Sequence, residues 1–108
     1  MSASKFILAL TTVPNEETGQ AIALDLIGKR LAACVNVIPA VRSFYWWEGK
    51  VTEEHECVLL IKTRAEMFED LEKGLKALHP YRLPELIALP IERGTADYLS
   101  WLEKETGR

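Results

Sequence analysis

The side chains of this sequence that could bind or react fall into two groups. The first is soft: Cys34, Cys57, His55 and His79. Thiolate suits soft metals, and imidazole suits copper. His55 and Cys57 lie two apart, so on a strand they share a face and could chelate a soft metal. Otherwise His55 is a wet strand residue and Cys57 a small core residue. Cys34 sits in the apolar run Ala32-Ala33-Cys34-Val35, where a free cysteine behaves as a small hydrophobe unless it is a ligand. His79 ends a helical pattern, where a cation and a nearby carbonyl suit it as a cap or as a ligand. The second group is Lys62, Tyr81, Glu85 and Trp101. Lys62 interrupts the end of an apolar run and Glu85 opens another. Charges at buried strand ends are normally paired. They form a structural ion pair, or they line a polar cleft with the apolar walls of Tyr81 and Trp101.

Catalytic patterns are missing from the sequence. It holds no glycine-rich phosphate loop, no nucleophile elbow and no serine patterned beside a base. The expectation is a protein that binds rather than an enzyme.

Positioning these groups falls to the stretch Leu31–Lys62. Two long runs rich in β-branched and aromatic residues flank Glu48-Gly49-Lys50, the pattern of two strands joined by a tight turn. A turn centred on Glu48-Gly49 sets Cys57 opposite Ala40. Cys34 then lies about 20 Å away along the ribbon, too far for a disulfide, even with a bulge at Pro39. Pro39 cannot donate to a ladder, so the first arm reads as an edge strand kinked near its middle. Phe44-Tyr45-Trp46-Trp47 makes the tip aromatic. Either the rings shield the tip or Tyr45, Trp46 and Trp47 form a subunit interface, where aromatic residues are enriched.

The runs Phe6–Leu10, Ala32–Val35 and Val58–Ile61 do not alternate apolar with polar. A sheet wet on one face alternates, so both faces read as covered, one by helices and the other by a second copy of the chain.

The remaining elements follow in order. Residues 5–13 read as a strand. Asn15 caps a helix that runs to about Arg30, with Ala23, Leu26, Ile27 and Leu31 as its apolar stripe. Gly19 and Gly28 read as sites of close packing. Thr63-Arg64-Ala65-Glu66 reads as a capping box opening a helix with Phe68, Leu71, Leu75 and Leu78 inward. Tyr81–Pro84 is a loop, residues 85–91 a strand broken by Pro90, and Tyr98, Leu99, Trp101 and Leu102 the apolar face of a last helix. The sequence thus predicts an α+β fold in the ferredoxin-like order β-α-β-β-α-β, with a long hairpin between the second and third strands and an added C-terminal helix. Right-handed crossovers put both main helices on one face of an antiparallel sheet.

Bulk composition agrees. The 108 residues, 48 % of them hydrophobic, read as one domain over residues 1–108. Thirteen basic against sixteen acidic residues give a net charge of −3, which offers no basic stripe for nucleic acid. No apolar stretch approaches the roughly 20 residues of a membrane span. Met1–Lys5 lacks the features of a signal peptide, so the expected location is the cytoplasm.

The motifs Leu31-Ala32-Ala33-Cys34-Val35-Asn36, Tyr45-Trp46-Trp47-Glu48-Gly49-Lys50, Lys62-Thr63, His79-Pro80-Tyr81, Pro84-Glu85 and Tyr98-Leu99-Ser100-Trp101 together resemble those of the CutA divalent-cation tolerance proteins. The match runs in order over nearly the whole chain. The resemblance implies a ferredoxin-like subunit in a compact homotrimer, tolerance of copper or other divalent cations, and no required cofactor. It places His79 inside a family motif, with Cys34 as the remaining candidate metal ligand. The family's proposed ligands include a cysteine at the end of the first strand and a second histidine beside His-Pro-Tyr. Thr11 and Leu78 stand there instead. Copper binding is therefore expected to be weak, absent, or completed by a neighbouring subunit. Two functions stay open: a metal-binding tolerance protein, and a trimeric small-ligand sensor or protein-binding scaffold. The second uses a cleft between subunits, lined by Lys62, Tyr81, Glu85 and Trp101.

Overall fold

The computed structural model describes residues 4–107. Of Met1–Lys5, the first three residues lie outside it. Eight-residue β1 (Phe6–Val13) leads into α1 (Glu16–Gly28), then β2 (Cys34–Trp47), β3 (Lys50–Arg64), a single 3-10 turn (Ala65–Met67), α2 (Phe68–Leu78), β4 (Ile87–Ile91) and α3 (Ala96–Lys104). The strands form one antiparallel sheet in the order β2-β3-β1-β4. This is the ferredoxin-like arrangement with β2 at an edge, as the pattern required.

Alternation divides the sheet. Ala9 pairs with Ile61, Thr11 with Leu59 and Val13 with Cys57, and these side chains are buried with Ile22 and Leu26 of α1 and Leu71 and Leu75 of α2. Each fully buried Leu or Ile contributes about 1.5–3 kcal/mol, so this face is the core. The opposite face carries Leu8, Leu10, Leu60, Ile38, Ile87 and Leu89. There Ile87 and Leu89 are half exposed. The C-terminal helix closes only one end of it: Lys62 Nζ lies 5.8 Å from the Tyr98 ring centroid and Arg64 donates to the Thr106 carbonyl at 2.9 Å.

Asn15 caps α1 as its side chain suggested, accepting from Thr18 N–H at 2.8 Å. The helix stops at Gly28, and Arg30 turns left-handed at φ 60°. Its buried stripe is Gly19, Ile22 and Leu26; Ile27 points outward. A Cβ on Gly19 would come within 3.3 Å of Leu59 and Val13, whereas one on Gly28 would meet nothing within 4 Å. Close packing thus accounts for Gly19 alone.

The expected capping box does not form. Thr63 remains in β3 and donates to the Leu31 carbonyl at 2.8 Å. Glu66 pairs with Arg64 instead. Thr63 satisfies the turn after α1, which a local pattern of four residues cannot reveal. Leu78 is also half exposed rather than inward.

The hairpin tip has Trp47 opposite Lys50, with Glu48 and Gly49 both at positive φ, the two-residue turn whose twist suits a hairpin. The register that this turn sets runs down to Val41 opposite Glu56, then slips by one across Pro39-Ala40. The Cys57 thiol donates to the Pro39 carbonyl at 3.2 Å within this bulge. Cys34 stands farther down, opposite Lys62. β1 pairs with β3 only from Cys57 onward, so Val41–Glu56 is a two-stranded arm that leaves the body of the sheet.

Candidate functional site

Where the arm leaves the sheet, the loop between α2 and β4 folds against it. His79 fixes that loop. Its backbone N–H closes α2 on the Leu75 carbonyl, and its buried ring lies 2.8 Å from the Thr12 carbonyl of β1 through Nε2. Nδ1 accepts from Tyr81 N–H at 3.2 Å. Because Nδ1 accepts, Nε2 carries the proton and donates. Both ring nitrogens are spent on holding the loop.

The loop so placed puts Tyr81 against the hairpin. The Tyr81 hydroxyl donates to Glu56 Oε2 at 2.6 Å. Burial, the hydrogen bond to Glu56 and the nearby carboxylates push the Tyr81 phenol well above its ordinary pKa. Desolvation and the charges of Glu54 and Glu56 also raise Tyr45. One residue on, Arg82 lies 5.3 Å from the Trp47 ring centroid and 3.6 Å from Glu48.

Between loop and arm lies a cavity of about 660 Å³. Tyr45, Trp47, Glu54, Glu56, Tyr81 and Glu85 contribute to its wall. Strand geometry explains the grouping. Ser43 pairs with Glu54 and Val41 with Glu56, so the odd residues of β2 and the even residues of β3 share one face. This face is the one opposite the core.

The residues singled out in the sequence separate within one chain. Tyr81 and Glu85 line the cavity together. Lys62 lies over Tyr98, whose ring stacks near Trp101 at 5.4 Å between centroids. No ion pair joins Lys62 to Glu85 among the described residues. Thr12, which holds His79, pairs with Val58, whereas Cys34 pairs with Lys62. Four residues of β3 separate the two positions, about 13 Å, so one chain does not bring Cys34 and His79 to a common ion. His55 opposes Arg42 on the other face of the arm, away from Glu54 and Glu56. Tyr45 and Trp47 are partly exposed and Trp46 is 73 % exposed.

Glu54 and Glu56 are not among the residues singled out in the sequence. The signal was available: once the turn is placed at Glu48-Gly49, they fall on the face of Tyr45 and Trp47.

Residues 7–105 match the family model of the CutA1 divalent ion tolerance protein. The divalent-cation tolerance protein CutA of Thermus thermophilus is 49 % identical over 100 residues, spanning 93 % of this chain and 97 % of that protein. Protein CutA 1, chloroplastic, of Oryza sativa is 48 % identical over 100 residues, and the chain spans only 56 % of its length. The solved divalent cation tolerance protein (Cut A1) from T. thermophilus superposes with a TM-score of 0.93 at 48 % identity, covering 94 % of this chain and 99 % of that one. The family match covers nearly every element described above, and on it this chain belongs to the CutA1 divalent ion tolerance family.

Proposed function

We propose that this chain is the single-domain subunit of a homotrimeric divalent-cation tolerance protein, cytoplasmic and without catalytic chemistry of its own. The observation that carries the trimer is the two-stranded arm Val41–Glu56. A hairpin outside its sheet is marginal in water. This one also presents Phe44, Trp46 and Val51, each at least 60 % exposed. Aromatic residues of this kind are enriched at interfaces, and closed cyclic assembly gives each arm a partner surface. Sedimentation equilibrium at micromolar concentration is expected to give three times the 12.2 kDa chain mass. A folded monomer sinks the reading.

Cation binding in this reading is weak and completed between subunits. His79 can ligate copper only by giving up a bond to Thr12 or Tyr81, and Cys34 of the same chain is out of reach. Copper titration of the wild type and His79→Ala tests this. The expectation is weak binding that the variant lowers further; equal tight, stoichiometric binding by both refutes the ligand assignment.

The arrangement of the cleft residues favours a second reading, a trimeric small-ligand sensor or scaffold with no metal requirement. Tyr81 and Glu85 lie at one end of the chain's open sheet face, and Lys62 and Trp101 at the other. A cleft lined by all four takes one pair from each of two neighbouring subunits. Saturable binding of a metabolite together with no saturable copper binding selects this reading.

A further inference from the structure

We infer that α3 is a strap, fastened to the body of the chain at its C-terminal end by Arg64 and able to lift as one unit from the Lys62 end of the open sheet face. The fastening stands on geometry alone; its consequence for the cleft rests on the second reading above.

Three observations carry it. Helix α3 has little to hold it along its own length. It runs for nine residues, Thr95 gives it no side-chain cap, and Leu102 is its one fully buried side chain. Helices shorter than about 12–15 residues are marginal by themselves. Residues 92–95, which lead into the helix, are exposed and irregular.

Bonding is instead concentrated just past the last turn. The Arg64 side chain, only 15 % exposed, donates from Nε to Thr106 Oγ1 and from Nη2 to the Thr106 carbonyl, both at 2.9 Å. The Thr106 hydroxyl donates in turn to the Leu102 carbonyl at 3.0 Å, which ties this clasp to the helix. The Gly107 N–H donates to the Arg30 carbonyl at 2.8 Å, and Arg30 reaches back to Glu105 Oε1 at 2.8 Å. The C-terminal end is thereby bound both to the end of β3 and to the turn after α1. Hydrogen bonds from a charged donor are roughly twice as strong as neutral ones, whereas the exposed Lys5–Glu103 pair adds little.

The third observation is the fit at Gly107. Its φ is 77°, and a Cβ there would run into the Arg64 guanidinium. The chain passes beside Arg64 only as glycine.

The strap carries Tyr98 and Trp101 and covers Lys62. Lifting it takes Trp101 away from Lys62 and dismantles that half of the cleft.

The test is amide hydrogen exchange, read by mass spectrometry at pH 7, on the full chain and on its Arg64→Met, Thr106→Val and Glu69→Gln variants. In Arg64→Met the amides of residues 99–105 should exchange at least about tenfold faster, the loss of one charge-assisted hydrogen bond. Thr106→Val should accelerate the same amides. Residues 22–26 and 71–75 of the core should keep their wild-type rates in both, and Glu69→Gln on α2 should change neither region. If Arg64→Met does not fold, Thr106→Val alone decides the matter. Wild-type rates at 99–105 in the folded variants overturn the inference. So does acceleration of the core by the same factor, which makes the clasp part of the global fold. Acceleration found only in samples that sedimentation shows to be dissociated also overturns it, because the neighbouring subunit is then the fastener. A failed metabolite screen removes the second reading and leaves the strap; unchanged exchange does the reverse.

Discussion

The Tyr81 hydroxyl reaches Glu56 at 2.6 Å, tying the loop after α2 to the root of the hairpin arm across 25 residues of sequence. Tyr81 is in turn held from behind by His79, which is anchored on β1. The chain Thr12–His79–Tyr81–Glu56 therefore links β1, the loop and β3 through groups that no single element could place.

This link has a signature in pH. The Tyr81 phenol is raised in the folded state, first by burial and then by Glu56, whereas an unfolded tyrosine titrates near about 10. Between those values the unfolded chain has lost its proton and the folded one has kept it. The contribution of Tyr81 is thus fully present below about pH 10 and lost as the pH rises above it. Tyr81→Phe should flatten that alkaline loss. At neutral pH it should lower stability by about 1–2 kcal/mol, since Glu56 is left buried without its donor. Urea unfolding of both proteins at pH 7, 10 and 11 checks the slope. An identical slope in the variant removes Tyr81 as its source.

The arm gives the next expectation. Trp47→Ala and Tyr45→Ala should weaken assembly, with the cost of a central aromatic truncation reaching about 2 kcal/mol. Glu69→Ala, on the exposed first turn of α2, should not. Sedimentation across a dilution series measures the difference. Equal dissociation in all three variants places the interface elsewhere.

Two glycines of α1 should respond oppositely to alanine. Gly28 ends the helix in open space, so Gly28→Ala should be neutral or stabilise by up to about 1 kcal/mol through helix propensity and the restricted unfolded chain. Gly19→Ala gains the same propensity but presses a methyl to 3.3 Å from both Leu59 and Val13, two core side chains of adjacent strands. That contact offsets the gain, so Gly19→Ala should be the less stable of the two. Thermal melts of the pair decide it; a more stable Gly19→Ala shows that the sheet yields easily at this point.

The sequence declares what is local or periodic. The turn at Glu48-Gly49 and the Asn15 cap each carry a short-range signal, and the strand order follows from the order of the elements. Interactions between distant segments left none. Thr63 looked like a cap because Glu66 follows it by three, and only the approach of Leu31 shows that its hydroxyl is already engaged. In α1 the apolar spacing puts Ile27 in the stripe, whereas the buried face is Gly19, Ile22 and Leu26, a face that a glycine partly conceals from the pattern. The cavity escaped for the same reason. Tyr81 and Glu85 are legible as polar residues at element ends, whereas the burial of Glu56 depends on the loop after α2 folding over it.

The last expectation concerns Thr11, which occupies the place where the family resemblance puts a cysteine. It faces the core between β1 and the helices, opposite Leu59, and is fully buried. Its hydroxyl has no hydrogen-bond partner among the described residues. A hydroxyl taken out of water without a partner costs about 1–3 kcal/mol. Valine matches threonine in shape and keeps the β-branch that suits a strand, while removing the polar group. Thr11→Val should therefore raise stability by about 1 kcal/mol, seen as a higher urea midpoint with unchanged slope. Thr11→Ser separates polarity from packing: it keeps the hydroxyl, loses the methyl and should fall below the wild type by the cost of a small cavity. A drop in stability for Thr11→Val means that the hydroxyl is satisfied by a buried water, and the site is then a hydrated one rather than a strained one.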